Sequence, residues 1–170
     1  MVSAPASAAA ARAWEVLAGV PDPEIPVISV VDLGIVREIR AEGDALEVTV
    51  TPTYSGCPAT QVIEASIRRA LADAGFDATV RTALAPAWTT DWLTAAGREK
   101  LTRFGIAPPG ERAPDAPVPL RFVRPAPRQV ACPHCGATDT ERLAEFGSTA
   151  CKALYRCREC REPFDYLKPI

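Results

Sequence analysis

Histidine is nearly absent from this chain of 170 residues, in which His134 is the one copy. A cysteine-histidine pair of the kind that thiol proteases and acyltransferases use therefore cannot form within the first hundred residues. The sequence also lacks the GxxxxGK[ST] loop, the GxGxxG turn and the HExxH pair. These absences remove the signatures of phosphate-binding loops, dinucleotide folds and zinc metalloproteases.

An excess of charge of one sign is also lacking, because 19 lysines and arginines stand against 21 aspartates and glutamates. This balance provides no basic surface for nucleic acid or for an anionic membrane, so neither partner is expected. No apolar run approaches the roughly eighteen residues of a membrane helix, and the first ten residues lack the basic start of a signal peptide. We therefore expect a cytoplasmic protein, in which paired cysteines indicate metal or redox chemistry more often than disulfides.

The hydrophobic pattern predicts an α+β fold, with a small helix-flanked, three-stranded sheet followed by a small β module. Helices are predicted over 8–20, 62–74 and 92–104, the last capped by Thr90 or Asp91, with a hairpin over 31–53 and a third strand over 76–84. Seven prolines between Ile106 and Arg128 favour an extended linker. The predicted organisation is a flexible tail (1–10), an α+β domain (11–106), the linker (107–129) and a cysteine-rich module (130–170).

Five of the six cysteines lie in the last forty or so residues, and four of them form two C-x2-C pairs. The pair Cys132 and Cys135 is separated by 21 residues from the pair Cys157 and Cys160, so two tight turns can place four sulfurs around one metal. A hairpin over 140–156 is predicted to connect the turns. About forty residues are too few to fold by burial alone, so a metal is expected to hold this ribbon together. Zinc is the expected metal; iron suits the same ligands, and a redox dithiol or disulfides are the alternatives.

Two other side chains near these pairs are not predicted to be ligands. His134 lies inside the first turn, between two cysteines, and is expected to be exposed. Cys151 lies six residues before Cys157, which is roughly 20 Å along an extended strand. It is interpreted as a small, semi-buried side chain, with a second redox or metal-handling thiol as the alternative.

The first domain contains a single cysteine, Cys57, which is followed by Pro58. Proline is favoured at the first position of a helix, so the thiol is expected to be exposed at or beside a helix N-terminus. The helix dipole there favours the thiolate, the form that attacks electrophiles and binds metals, while inert packing is the alternative. Asp22, Glu24 and Asp32 could supply oxygen ligands near the thiol, or could cap the loop and a helix.

Three segments of the first domain, DPEIPVISVVDLGIVREI, VTPTYSGCPAT and PAWTTDW, resemble the small iron-sulfur-assembly family that includes bacterial SufT. With the cysteine-rich tail added, the whole chain resembles the PaaD-type accessory subunits of the phenylacetyl-CoA ring epoxidase system. One departure from an ideal ribbon is that Arg161, and not glycine, follows Cys160.

The resemblance implies a role in aerobic phenylacetate breakdown, in which the protein helps an iron-dependent oxygenase acquire its iron or iron-sulfur cluster. It implies that Cys57, Asp22 and Glu24 handle iron or a cluster transiently, and that the partners are other epoxidase subunits or the iron-sulfur reductase. Zinc in the ribbon would be structural, and the protein itself would not be an enzyme. A docking adaptor with a purely structural ribbon and a thiol enzyme that borrows a base from a partner are the alternatives.

Overall fold

The computed structural model describes residues 8–42, 45–110 and 129–169. Within these ranges the chain forms two compact units, one ending at Lys100 and one running from Leu101 to Pro169, each with its own sheet. The predicted α+β class and the separate cysteine-rich β module are confirmed. Residues 1–7 of the predicted tail and 111–128 of the predicted linker lie outside the described residues, so both segments stay predictions.

The first unit contains a three-stranded sheet and the helices that flank it. Helix α1 spans Ala8–Leu17 and α2 spans Thr60–Asp73. Strands β1 (Val36–Glu42) and β2 (Ala45–Val50) form the predicted antiparallel hairpin. Strand β3 (Asp77–Thr82) pairs in parallel with β2, because α2 carries the chain back along the sheet between them.

The core of this unit lies on one face of the sheet. Alternate residues of β2, Leu46, Val48 and Val50, are buried, as their alternation with polar neighbours predicts. Helix α2 contacts β3, and α1 contacts both β1 and α2. The side chains that α2 buries recur every four residues and so share one helix face: Ile63, Ile67 and Leu71.

The last predicted helix begins later than expected. A 3-10 helix (Thr90–Trp92) comes first, and α3 then spans Ala95–Phe104. The predicted cap is wrong, since the Thr94 hydroxyl accepts the capping bond of α3, from the Gly97 amide at 2.9 Å. Gly105, with φ 87°, ends α3 as predicted. None of the helices in the part of the chain that the structure describes is long and apolar enough to span a membrane.

Trp88 and Trp92 contact the turn formed by residues 32–34. The indole N–H of buried Trp88 donates a hydrogen bond to the Leu33 carbonyl at 2.9 Å. Gly34 follows with φ 69°, and a β-carbon on it would lie 2.5 Å from the carbonyl oxygen of Trp92. The turn therefore requires a glycine for two reasons, its left-handed backbone and the close approach of Trp92.

The carboxylate of Asp32 is the hydrogen-bonding centre of the same turn. Its Oδ2 accepts from the Ser29 hydroxyl at 2.9 Å and from the Lys100 ammonium at 2.6 Å, while its Oδ1 accepts from the Thr94 hydroxyl at 3.1 Å. Burial acts to raise the pKa of Asp32, but the hydrogen bonds from Lys100 and Ser29 together lower it below its usual value. Asp32 is therefore a loop cap, and its oxygens are engaged by the protein itself.

Acid is expected to weaken the first unit through Asp32. Because folding lowers its pKa, the ionised carboxylate stabilises the fold above the unfolded pKa of about 3.9, and this contribution is lost as the pH falls through the lower folded value. Asp32→Asn should lower the free energy of unfolding by about 2 kcal/mol at pH 7, where the charged hydrogen bonds exist, and by much less at about pH 2. All three tryptophans lie in this unit, so urea unfolding followed by fluorescence measures it. Equal losses at the two pH values would contradict the prediction.

The second unit is a four-stranded sheet in the order β4-β7-β6-β5. Its strands are β4 (Ile106–Ala107), β5 (Thr140–Ala144), β6 (Lys152–Cys157) and β7 (Pro163–Leu167). The β5-β6 hairpin was predicted, whereas β4 and β7 were not. The apolar centre of this unit is aromatic, with the Tyr155 ring 5.9 Å from that of Phe164 and 5.5 Å from that of Tyr166 between centroids.

Candidate functional site

Four cysteine side chains meet in the second unit, as their spacing predicts. The sulfurs of Cys132, Cys135, Cys157 and Cys160 all lie within 4.8 Å of one another. The Cys132 and Cys160 sulfurs are 3.7 Å apart, and those of Cys135 and Cys157 are 3.6 Å apart. Sulfurs bound tetrahedrally at about 2.3 Å from an ion lie about 3.8 Å from each other. The donor set and its spacing therefore fit a tetrahedral metal site.

The first cysteine turn is closed by two backbone hydrogen bonds. The Cys132 N–H donates to the Ala137 carbonyl at 2.9 Å, and the Gly136 N–H donates to the Cys132 carbonyl at 2.9 Å. Gly136 has φ 78°, a left-handed conformation that glycine adopts without steric cost. The Ala137 amide donates to the Cys135 sulfur. The turn thus supplies two ligands together with an amide that stabilises a thiolate.

The second cysteine turn repeats this geometry, with an arginine at the glycine position. The Cys157 N–H donates to the Glu162 carbonyl at 3.0 Å, and the Glu162 amide donates to the Cys160 sulfur. Arg161 has φ 65°, so it adopts the left-handed conformation that glycine has in the first turn. The departure from glycine leaves the arrangement of the ligands unchanged.

The pKa values of two of the ligand thiols, Cys157 and Cys160, are shifted in opposite directions. The amides of Cys160 and Glu159 donate to the Cys157 sulfur and lower the pKa of that thiol to about 7. The Glu162 amide lowers the pKa of Cys160, but burial and the neighbouring thiols outweigh it and raise the pKa to about 12. Because thiolates this close repel one another, a bound cation is what allows all four to ionise. The chemistry of the cluster is therefore that of a metal-binding site.

The other two candidates in the ribbon lie outside this cluster. His134 is exposed, as predicted, and a β-carbon on Gly105 would lie 2.9 Å from its imidazole ring. Cys151 precedes β6 and is half-buried, with its sulfur 3.1 Å from the Thr149 hydroxyl oxygen. Neither side chain belongs to the metal-binding group found in the described ranges. A separate role for Cys151 stays a prediction.

Cys57 lies just before helix α2 in the first unit. The helix begins at Thr60, so the prediction that Pro58 is its first residue is wrong by two positions. The amide and the hydroxyl of Thr60 both donate to the Cys57 carbonyl, at 3.2 and 2.9 Å, which fixes the cysteine backbone beside the helix N-terminus. The side chain is half-buried, less exposed than expected. Its reactivity stays a prediction.

The two acids predicted to act with Cys57 have different surroundings. Asp22 is buried, and its Oδ1 accepts from the amides of Glu24 at 2.9 Å and Ile25 at 2.8 Å, so it caps the loop. The Glu24 side chain is exposed. Over 8–42, 45–110 and 129–169, these residues do not form with Cys57 a group of three ligands close enough for one ion. Their part in iron handling stays a prediction.

The fold and the cysteine cluster define a protein that joins an iron-sulfur-assembly domain to a zinc ribbon. Residues 10–84 match the family described as iron-sulfur cluster assembly protein, and residues 116–168 match the PaaD zinc beta ribbon domain. Over 158 residues the chain is 48% identical to an Escherichia coli (strain K12) protein that bears the provisional name of a 1,2-phenylacetyl-CoA epoxidase subunit. The match covers 92% of this chain and 91% of that protein. The chain belongs to the PaaD family of phenylacetyl-CoA epoxidase subunits.

Two further comparisons concern the first domain. Over 76 residues, 43% of this chain, it is 37% identical to the Fe-S protein maturation auxiliary factor YitW of Bacillus subtilis (strain 168), of which 74% is covered. A crystal structure of the domain of unknown function DUF59 from Bacillus anthracis superimposes with a TM-score of 0.53 at 23% identity. That match covers 56% of this chain and 93% of the other, and it supports the fold of the first domain.

Proposed function

We propose that this protein is an accessory subunit that helps a partner in the phenylacetyl-CoA epoxidase system acquire iron or an iron-sulfur cluster. The observation that carries the proposal is the joining of an iron-sulfur-assembly domain to a metal ribbon, in the order shared with a relative named for that epoxidase. The partners are other subunits of the system or its iron-sulfur reductase, in the cytoplasm. The protein acts in phenylacetate catabolism, and its partners include neither nucleic acid nor a membrane.

In this proposal the protein is not itself the oxygenase. Di-iron oxygen-activating sites draw glutamates and Glu-x-x-His motifs from four long helices. This chain has a single histidine, located in a cysteine turn, and the helices of its described ranges have 10, 14 and 10 residues apart from one 3-10 turn. Catalysis of epoxidation therefore belongs to a partner, and this chain supports it.

In this proposal the two metal-related regions have different tasks. The four ribbon cysteines hold a structural zinc ion, since tetrahedral thiolate ligation suits zinc. Cys57 handles iron or a cluster transiently, together with Asp22 and Glu24 from a separate segment of the first domain. A thiol whose backbone is fixed by Thr60, in a domain without histidine, suits transfer of a metal better than catalytic turnover.

Deletion of the gene should abolish growth on phenylacetate while the other epoxidase subunits are still made. Those subunits, purified anaerobically, should be deficient in iron or acid-labile sulfide, and the wild-type gene should restore them. Cys57→Ser should fail to restore growth, because the transferring thiol is lost. Cys151→Ser is the matched control, since it removes the other half-buried thiol outside the ribbon cluster, and it should restore growth. Full metal occupancy in the deletion strain would refute the maturation role.

A docking adaptor is the second candidate, and the surroundings of the two acids favour it. The Asp22 oxygen that faces the loop is engaged by two backbone amides, and Glu24 projects into solvent. An adaptor would need only the surfaces of the protein, so Cys57→Ser would restore growth. Metal content of the client subunits in that strain separates the two functions directly.

A further inference from the structure

The two cysteine turns of the metal site differ at one backbone position. The residue after the first pair is Gly136, with φ 78°, and the residue after the second pair is Arg161, with φ 65°. In the portion of the chain that the structure describes, Arg161 is the one residue other than glycine with positive φ. An L-residue in this conformation brings its β-carbon too close to the following carbonyl oxygen, so the second turn is strained and the first is not.

The strain at Arg161 cannot relax while the ligands stay in place. Its left-handed conformation directs the Glu162 amide to the Cys160 sulfur and the Glu162 carbonyl to the Cys157 amide, 3.0 Å away. A return to negative φ would break both interactions at once. Release of the strain is therefore coupled to opening of the turn that holds Cys157 and Cys160.

The Arg161 side chain does not offset this strain by binding elsewhere in the described ranges. It is exposed and has no hydrogen-bond or ion-pair partner within 8–42, 45–110 and 129–169. The other three arginines of the ribbon pair with carboxylates: Arg142 with Glu145, Arg156 with Glu141, and Arg158 with Asp139 and Glu141.

Solvent access does not distinguish the two pairs of ligands. Each pair has one buried cysteine, Cys132 or Cys157, and one exposed cysteine, Cys135 or Cys160. The strained backbone of Arg161, which Gly136 lacks, is thus the feature that makes the second turn easier to open than the first. One left-handed L-residue changes a local opening equilibrium by roughly five- to thirty-fold.

We propose that the metal site opens in a fixed order, with Cys157 and Cys160 released first, so that the metal leaves and enters through the second turn. Cys132 and Cys135 keep their ligand geometry until the second turn has opened. Ordered opening involves the residues of the ribbon alone and does not depend on the proposed role in epoxidase maturation.

The test uses the zinc-loaded full-length protein exposed to excess EDTA, with short pulses of iodoacetamide and mass spectrometry of the labelled peptides. In the wild type, label should appear on Cys157 and Cys160 while Cys132 and Cys135 are still protected. Arg161→Gly should slow zinc loss about fivefold, because it removes the backbone strain. The gain is smaller than the full strain energy, since glycine raises the conformational entropy of the unfolded chain. Label on Cys132 and Cys135 first in the wild type would overturn the proposal.

A double variant that exchanges the two residues, Gly136→Arg with Arg161→Gly, should reverse the order of labelling. Arg161→Lys keeps the β-carbon and the charge, so this variant should lose zinc at the wild-type rate. A change as large as that of Arg161→Gly would assign the effect to the guanidinium and refute the proposal.

Gly75→Ala introduces the same backbone strain in the other unit, where φ is 84° and no atom lies within 4 Å of the new β-carbon. The Gly75→Ala variant should leave the rate of zinc loss unchanged. An Arg161→Gly protein that loses zinc at the wild-type rate would also refute ordered opening.

Discussion

Removal of the metal is expected to unfold the ribbon and leave the first unit folded. Structural zinc sites contribute apparent free energies of roughly 10 to 16 kcal/mol at neutral pH, more than about forty residues gain by packing alone. The Cys157 thiol lies in the apolar cluster of the ribbon with Tyr155, Phe164 and Tyr166. Losing the metal would place repelling or protonated thiols inside that cluster. Hydrogen exchange should therefore show loss of protection in β5, β6 and β7 after chelation.

The three tryptophans provide an internal control for metal removal, because Trp14, Trp88 and Trp92 all lie in the first unit. Their fluorescence should not change on chelation, whereas the near-ultraviolet circular dichroism of the ribbon tyrosines should collapse. Cys132→Ser should reproduce the effect of the chelator, and Cys151→Ser, which removes a thiol outside the cluster, should not. A metal-free ribbon with undiminished exchange protection would show that packing, not metal, holds it.

Gly34→Ala is expected to destabilise the first unit by roughly 2 to 5 kcal/mol, since backbone strain and overpacking add at this position. The new β-carbon would lie 2.5 Å from the Trp92 carbonyl oxygen and 2.7 Å from the Trp92 β-carbon. The backbone of Trp92 cannot retreat easily, because its amide donates to the Thr89 carbonyl at 3.0 Å. Urea unfolding followed by tryptophan fluorescence measures the loss.

Gly75→Ala is the matched control for the Gly34 variant. Its φ of 84° is also left-handed, but nothing lies within 4 Å of the added β-carbon. It should therefore cost about 1 kcal/mol, which is the backbone contribution by itself. The difference between the two variants isolates the contact with Trp92, and equal losses would show that this contact is not tight in solution.

The parts of the structure that a local pattern determines were predictable from the sequence. Cysteine spacing identified the metal ligands, because a C-x2-C turn leaves little freedom in where its two sulfurs lie. Alternation in 46–50 and helical spacing in 62–71 identified a hairpin strand and a helix, because the burial of one face follows the period of each element. Gly136, which follows the first pair, is the residue type that this left-handed turn favours, and the turn directs the Ala137 amide to the Cys135 sulfur.

The features that depend on contacts distant in the sequence could not be predicted. The Asp32 carboxylate is engaged by Lys100 and Thr94, more than sixty positions away, which no local motif indicates. Strand β4 has two residues, too few for any periodicity to appear. The left-handed conformation of Arg161 contradicts the preference of an L-residue, so no local propensity indicates it.

The two residues of β4 close the ribbon sheet with a partner strand about sixty positions later in the sequence, where Ile106 pairs with Asp165 and Ala107 with Tyr166. A truncated protein starting at Val130 would therefore leave β7 as an open edge, a template for pairing with other chains. Residues added to the sequence between Gly110 and Gln129 are expected to cost little, because each doubling of a closed loop costs only about 0.6 kcal/mol of chain entropy. Both ends of this sheet must therefore stay in one chain for β7 to keep β4 as its partner strand.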